Sequence, residues 1–199
     1  MTIIALSGYG TCGKDSVADI LVEDYGFAKY AWADTLRLAA SELNPIVDLD
    51  QNLRPVRYND ALAECGYNEA KVRYPEVRNV LQRLGTEVGR NLIDDNVWVD
   101  ATINRIGRER SLADNIVIPD TRFKNEAHAV KLRSESKNYI VRVNRPGVGP
   151  AGDHPSETNL DDFEFNYVIN NDGTLDDLRV RVEELCKFVE MCSWGLPSR

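Results

Sequence analysis

Histidine occurs only twice in these 199 residues, at His128 and His154, and no Ser-His-Asp or Cys-His arrangement accompanies either. That argues against a nucleophilic hydrolase. The four cysteines, Cys12, Cys65, Cys186 and Cys192, are scattered, with no C-x-x-C pair and no metal-ligand spacing. A disulfide framework or zinc site is therefore not expected, and a reducing cytoplasmic setting is. No apolar run approaches the length of a membrane span, and no basic region precedes the apolar N-terminal stretch, so neither an anchor nor a signal peptide is expected. Positive charge is also short: the formal net charge of −8 argues against a nucleic acid polymer or an anionic membrane as partner. Internal repeats, low-complexity tracts and long linkers are lacking as well.

What cationic charge there is leans to one residue type. Arginine supplies 17 of the 24 cations and lysine 7. Arginine's planar fork suits paired phosphate or carboxylate oxygens, although a solvated surface explains many arginines equally well. Hydrophobic content of 43% and charged content of 28% fit one soluble domain, with room for an inserted subdomain.

Strand and helix patterns alternate at both ends of the chain. Thr2 to Ser7 reads as a short buried strand. Val17, Ile20, Leu21 and Tyr25 then recur at helical spacing, with Gly26 as a stop. Phe27 to Ala33 reads as a second strand and 35–43 as a helix closed by Pro45; residues 46–57 read as irregular. The clearest helix spans 76–92, with Val77, Val80, Leu81, Leu84 and Val88 on one stripe and Arg83, Thr86, Glu87 and Arg90 opposite. A helix over 97–108, a strand over 115–119, a helix over 124–133 and a strand over 139–143 follow. A Gly/Pro loop at 144–152, a strand over 167–169 and a helix over 175–189 complete the pattern. Alternation of this kind predicts an α/β fold, a parallel sheet flanked by helices on both faces. The core is expected over about 1–43 and 113–199, with a helical insertion over about 44–112.

The chemistry concentrates in "GYGTCGKDS", Gly8 to Ser16. Gly8 and Gly13-Lys14 satisfy G-x-x-x-x-G-K between a predicted strand and a predicted helix, the context a phosphate-binding loop requires. Its backbone N–H groups and the helix N-terminus would cradle phosphate oxygens, and Lys14, expected in a solvent-facing loop, would neutralise them. A glycine-rich turn with a solvated lysine is the plain alternative. Asp15 departs from the usual Ser or Thr at the metal position. It is read as a metal-shell residue, as an orienting group for the acceptor, or as a first-turn acid favoured by the helix dipole. Ser16 can still offer its hydroxyl.

Other residues fall at strand ends, where such sheets face their ligands. Asp120 ends "IVIPD" and either helps to place Mg²⁺ or caps the next helix, and Arg122 stands beside it. Asp34 follows the second strand and either meets the acceptor or caps a helix. Arg83, Thr86 and Arg90 project from one helix whose Gly85 and Gly89 allow a close approach to its backbone. Two helical glycines cost about 1 kcal/mol each relative to Ala, which suggests a use. Arg142 and Arg145 lead into the 144–152 loop. Trp98 and Tyr58 are candidates to stack on a base, with core packing as the alternative.

Taken in order, "GYGTCGKDS", "WADTLR", "LQRLGTEVGRNLIDDNVW", "IPDTRFKNEA", "DHPSE" and "VINNDGTLDDL" resemble the bacteriophage deoxynucleoside monophosphate kinases, a branch of the P-loop nucleotide kinases. The resemblance spans nearly the whole chain. It implies a three-layer P-loop kinase fold and transfer of the ATP γ-phosphate to a deoxynucleoside monophosphate, with Mg²⁺, in a homodimer. Under it Gly8, Gly10, Thr11, Cys12, Gly13, Lys14, Asp15 and Ser16 hold ATP phosphates. Asn171, Gly173 and Thr174 lie near adenine. Arg90 with Arg83 grips the acceptor phosphate, and Asp34, Arg37, Gln82, Thr86 and Trp98 complete the acceptor site. Lys14, Asp15, Arg122, Arg142 and Arg145 are the catalytic candidates, and Asp15, Ser16 and Asp120 the metal candidates. Residues 144–155 form the lid. The "DHPSE" segment matches the family without an assigned chemistry, and Ser156 capping a short helix explains it equally well. A dephospho-coenzyme A kinase-like enzyme and a non-catalytic ATP-binding module remain the alternatives.

Overall fold

Ile3-Ile-Ala-Leu6 is apolar at every position because its strand is covered on both faces. All four residues are fully buried in the computed structural model, which describes residues 1–109, 115–133, 137–152 and 155–193. In chain order the elements are β1 (Thr2–Ser7), α1 (Lys14–Tyr25), β2 (Ala28–Lys29), α2 (Ala33–Leu43), β3 (Ile46–Leu49) and β4 (Pro55–Arg57). There follow α3 (Tyr58–Arg73), α4 (Pro75–Gln82), a π-helix (Arg83–Ile93), α5 (Val97–Glu109), β5 (Ile116–Ile118) and α6 (Lys124–Lys131). The last elements are β6 (Lys137–Asn144), α7 (Pro155–Thr158), β7 (Tyr167–Asn170) and α8 (Leu175–Ser193).

The chain divides into two compact units. The first, Met1–Trp32 with Asn104–Arg199, holds a five-stranded sheet in the order β2-β5-β1-β6-β7, every pairing parallel. Ile4 and Leu6 join Val17, Leu21, Val141, Leu178, Val182 and Leu185 in a core between the sheet and α1 with α8, while α6 packs against β1 and β6. This is the three-layer α/β fold the alternating patterns predict. Because the strands are parallel, the segments after β1, β5, β6 and β7 all leave the same edge of the sheet. Gly8, Asp120, Asn144 and Asn171 therefore start out as neighbours.

The second unit, Ala33–Ile103, has its own core of Ala40, Val47, Tyr58, Ala61, Ala70, Tyr74 and Val77. Two of its features, residues 46–57 and the end of the 76–92 helix, depart from the sequence expectation. Residues 46–57, expected to be irregular, form an antiparallel hairpin of β3 and β4. The Asp50 carboxylate accepts from the Asn52 and Arg54 amides at 2.8 and 2.9 Å and closes its turn, a side-chain device that hydrophobic patterning does not show. Tyr58–Arg73 is helical with a break at Gly66, where φ is 78°. The helix expected over 76–92 is α-helical only to Gln82 and continues as a π-helix, with the Asp94 amide bonding the Gly89 carbonyl five residues back. In the first unit, the expected strand 27–33 shortens to Ala28–Lys29, because the Trp32 amide turns to the Asp120 carboxylate at 2.9 Å. Among the described residues no helix is long and apolar enough to cross a membrane.

Candidate active site

In the first unit, the turn from β1 into α1 works only with glycine at two points. Gly8 has φ 145° and Gly13 φ 104°; a Cβ on Gly8 would strike the Val143 carbonyl oxygen, and one on Gly13 the Asn171 side-chain amide. Thr11 also takes a left-handed conformation, with φ 62°. The resulting loop ends on the N-terminus of a twelve-residue helix, where unpaired amides favour an anion.

Lys14 is not the solvent-facing residue that its loop position suggests. It is 8% exposed, and its Nζ donates to the carbonyls of Gly8 at 2.7 Å and Tyr9 at 2.6 Å, with the Cys12 sulfur 3.7 Å away. Burial lowers its pKa, and the nearby Arg122 charge adds to that. The ammonium thus lies inside the loop.

Asn171 supports this loop from beneath. Its side-chain amide donates to the Cys12 carbonyl at 2.9 Å and its backbone amide to the Asn144 carbonyl at 2.7 Å. The residue is buried against Gly13. The Asn171 side chain is therefore turned into the loop. Asn171→Ala should lower the loop's affinity for a phosphate-bearing ligand about tenfold, because one hydrogen bond to a buried carbonyl is worth about 1–2 kcal/mol. Nucleotide titration calorimetry reads this directly. Thr174 caps α8: its amide and hydroxyl both donate to Asp177 Oδ2, at 2.8 and 2.7 Å, and Gly173 packs on the same carboxylate. Their neighbours Asn170 and Asp172 instead line a cavity of about 310 Å³ with Tyr9, Arg145, Pro146 and Val148.

Of the three arginines expected at the transferring phosphate, Arg122 and Arg142 are each held by a carboxylate of one segment, while Arg145 lines the cavity. Arg122 Nη1 meets Glu157 Oε1 at 2.6 Å. Arg142 Nη2 meets Asp161 Oδ1 at 3.1 Å, its guanidinium lies 4.6 Å from the Tyr9 ring centre, and the Tyr9 hydroxyl donates to the same carboxylate at 2.9 Å. The hydrogen bond to Asp161 raises the Tyr9 pKa, and burial adds to it. Arg142 thus props the loop through Tyr9. Glu157 also accepts from the Ala151 amide at 3.2 Å. Burial alone would raise the Glu157 pKa, but the Ala151 amide, Arg122 and Lys14 together bring it below the ordinary carboxylate value. Composition and spacing do not point to Glu157; "DHPSE" is its only signal. Of that segment, and of the lid expected over 144–155, Asp153 and His154 lie outside the described residues. The lid's start is an ordered turn: the Val148 amide bonds the Arg145 carbonyl at 3.1 Å around Pro146-Gly147, with φ 78° at the glycine.

Asp15 is 86% exposed at its side chain and reaches Lys29 at 3.8 Å, while Lys29 pairs more closely with Asp19 at 2.8 Å. Ser16 lies in the same first turn of α1, and Asp120 holds the Trp32 amide. These are hard oxygen donors of the kind Mg²⁺ accepts alongside phosphate and water.

In the second unit, the π-helix carries the other arginines. Arg90 is 12% exposed at its side chain, and its Nη1 lies 3.3 Å from the Asp95 carbonyl and 3.5 Å from its carboxylate. Arg83 is exposed and pairs with Glu87, while Gln82 is exposed and Thr86 half-buried. The close approach that Gly85 and Gly89 permit is made by protein: Trp98 Nε1 donates to the Gly85 carbonyl at 2.8 Å, and its ring packs on Gly89. Trp98 therefore shapes the π-helix. Tyr58 is fully buried in this unit's core, so it is no base platform. Asp34 pairs with Arg37 at 3.3 Å, and the Arg37 guanidinium stacks on Tyr67, 4.7 Å from the ring centre.

A parallel sheet whose first strand runs through a glycine turn onto a helix N-terminus, with a lysine inside the turn, defines the class: a P-loop nucleotide-binding enzyme core. Within it, the chain belongs to the deoxynucleotide monophosphate kinase family, whose model matches residues 48–182. A protein of Acanthamoeba polyphaga mimivirus, provisionally assigned as a deoxynucleotide monophosphate kinase, is 28% identical over 194 residues, 89% of this chain and 92% of that protein. The deoxynucleotide monophosphate kinase of Enterobacteria phage T4 is 30% identical over 114 residues, 57% of this chain. The match spans 46% of the phage protein, about half its length. Among solved structures, a dephospho-CoA kinase from Campylobacter jejuni superposes with a TM-score of 0.47 at 11% identity, covering 97% of this chain and 98% of that one. At that score the likeness carries no weight for activity.

Proposed function

We propose that this chain transfers the γ-phosphate of ATP to a deoxynucleoside 5′-monophosphate, releasing ADP and a deoxynucleoside diphosphate. The observation that carries this reading is that one chain of the deoxynucleotide monophosphate kinase family holds both a lysine-bearing phosphate loop and a separate arginine-bearing element. A module that only senses ATP needs the loop and has no use for the second element.

Each group then has a task. The loop amides from Gly8 to Ser16 bind the donor phosphates, and Lys14 exchanges its carbonyl partners for phosphate oxygens. The 310 Å³ cavity takes the adenine, with Pro146, Val148 and Tyr9 as apolar walls and Asp172 and Asn170 as polar partners. Arg90, pre-set by Asp95, grips the acceptor phosphate with Arg83 beside it, and Arg122 offsets charge on the transferring group. Ser16, Asp120 and the exposed Asp15 would hold Mg²⁺, which when bound neutralises phosphate charge. Residues 144–155 act as the lid that keeps water from the donor until the acceptor is present. Residues 44–112 make the acceptor-binding region. The homodimer belongs to the same reading, and sedimentation velocity reads it out.

Isothermal titration separates the readings. Binding of dTMP or dGMP as well as ATP supports the kinase. Binding of dephospho-coenzyme A in place of nucleotides moves the substrate, and binding of ATP alone leaves a sensing module.

A further inference from the structure

The segment that runs from α7 into the following turn presents two carboxylates to two arginines, Glu157 to Arg122 and Asp161 to Arg142. It is also tied down independently of them: Asn159 Oδ1 accepts from the Lys124 amide at 2.8 Å, and Asp162 pairs with Lys124 at 2.7 Å. The segment is therefore anchored beside the N-terminus of α6, the element that Arg122 precedes.

The Glu157–Arg122 contact is the closer of the two pairs and the more buried at its carboxylate. The Glu157 side chain is 12% exposed, and its two oxygens are divided: Oε1 takes Arg122 Nη1 at 2.6 Å and Oε2 the Ala151 amide at 3.2 Å. Arg122 is fixed from its other end as well, because its backbone amide donates to Glu126 Oε2 at 2.7 Å. A guanidinium has five N–H donors in a rigid plane, so one edge can rest on a carboxylate while the remaining donors face another anion. Among the described residues, Arg122 Nε and Nη2 make no hydrogen bond. The Thr121 amide donates to the Leu6 carbonyl at 3.1 Å, so the chain enters Arg122 beside the end of β1, where the phosphate loop begins.

We propose that Glu157 is a positioning residue for phosphoryl transfer: it grips one edge of the Arg122 guanidinium and aims its remaining donors at the transferring phosphate, while its second oxygen ties the 144–152 loop to the same point. This rests on the kinase reading and on Arg122 acting at the phosphate. A carboxylate so close to the donor phosphates would by itself repel them. Paired with Arg122 it is neutralised, and the pair spends its charge on orientation rather than on ATP affinity. Glu157 touches no reacting atom, so its loss should act through Arg122 alone.

A double-mutant cycle on the full chain tests this, with kcat, KM for each substrate, ATP affinity by calorimetry and the thermal midpoint measured for every protein. Glu157→Gln, which keeps shape and acceptor oxygen, should lower kcat roughly 10- to 100-fold. ATP affinity should stay within about threefold, which a general loss of structure would not spare. In an Arg122→Ala background the same change should cost nothing further, because its target is gone. If Arg122→Ala lowers the thermal midpoint too far to assay, Arg122→Lys supplies the background, since a point charge cannot use the aimed edge. An unchanged kcat in Glu157→Gln overturns the proposal. Losses that multiply across the cycle overturn it too, as does a loss confined to ATP affinity, which would assign Glu157 to the loop through Ala151. In each of those cases an active parent protein leaves the kinase reading standing. A parent protein with no phosphotransferase activity on any acceptor sinks both.

Discussion

Lys14→Ala is expected to lower kcat by about 10²–10³-fold, the cost of removing one preorganised charge from a phosphoryl-transfer site. The structure adds a second effect. Because Lys14 Nζ is bonded to the Gly8 and Tyr9 carbonyls, its removal also loosens the loop that presents the amides. ATP affinity should therefore fall along with turnover. The thermal midpoint should move little, since the lost bonds lie within one loop and the β1 core beneath it is complete without them. Lys14→Met, which keeps the stem but has no donor for those carbonyls, should lose turnover and loosen the loop in the same way. Turnover within threefold of the parent protein in either variant would remove Lys14 from the mechanism.

Arg90→Ala should raise the KM for the acceptor and lower kcat/KM by about 10- to 100-fold, the size of a charge-assisted contact with phosphate, while leaving the KM for ATP in place. Arg83→Ala should cost less. The two differ in environment: Arg90 is largely buried and held by Asp95, whereas Arg83 stands in solvent beside Glu87 and is screened. Initial rates with ATP saturating and acceptor varied give both numbers. Unchanged acceptor kinetics in Arg90→Ala would move the acceptor site elsewhere.

The residues differ in how much of this was legible before any coordinates. β1, the glycine turn and α1 are fully readable, because an apolar run, two obligatory glycines and a helical period each leave a local mark. The parallel sheet follows from alternation. Less legible is whatever depends on one side chain reaching across the fold. Asn171 lies 159 residues from the carbonyl it supports, and no local pattern announces that bond. The resemblance puts it near adenine with Gly173 and Thr174, and the neighbouring Asn170 and Asp172 line the cavity. Glu157 leaves only the "DHPSE" match, its partner being 35 residues away. The π-helix escaped because helical periodicity does not separate i+4 from i+5 bonding over eleven residues. Gly85 and Gly89 do mark close approaches, but protein of the same unit makes them, Leu36 at Gly85 and the Trp98 ring at Gly89.

The central claim is acceptor phosphorylation, and a coupled ADP-release assay with ATP and Mg²⁺ tests it most directly. Its acceptor panel holds dAMP, dCMP, dGMP, dTMP, the ribonucleotides and dephospho-coenzyme A. The account predicts ADP release that depends on one or more deoxynucleoside monophosphates and maps the bases accepted in the same experiment. Release with dephospho-coenzyme A alone would keep the loop and the fold and contradict the substrate. Silence across the panel, with ATP binding intact, would contradict the account itself.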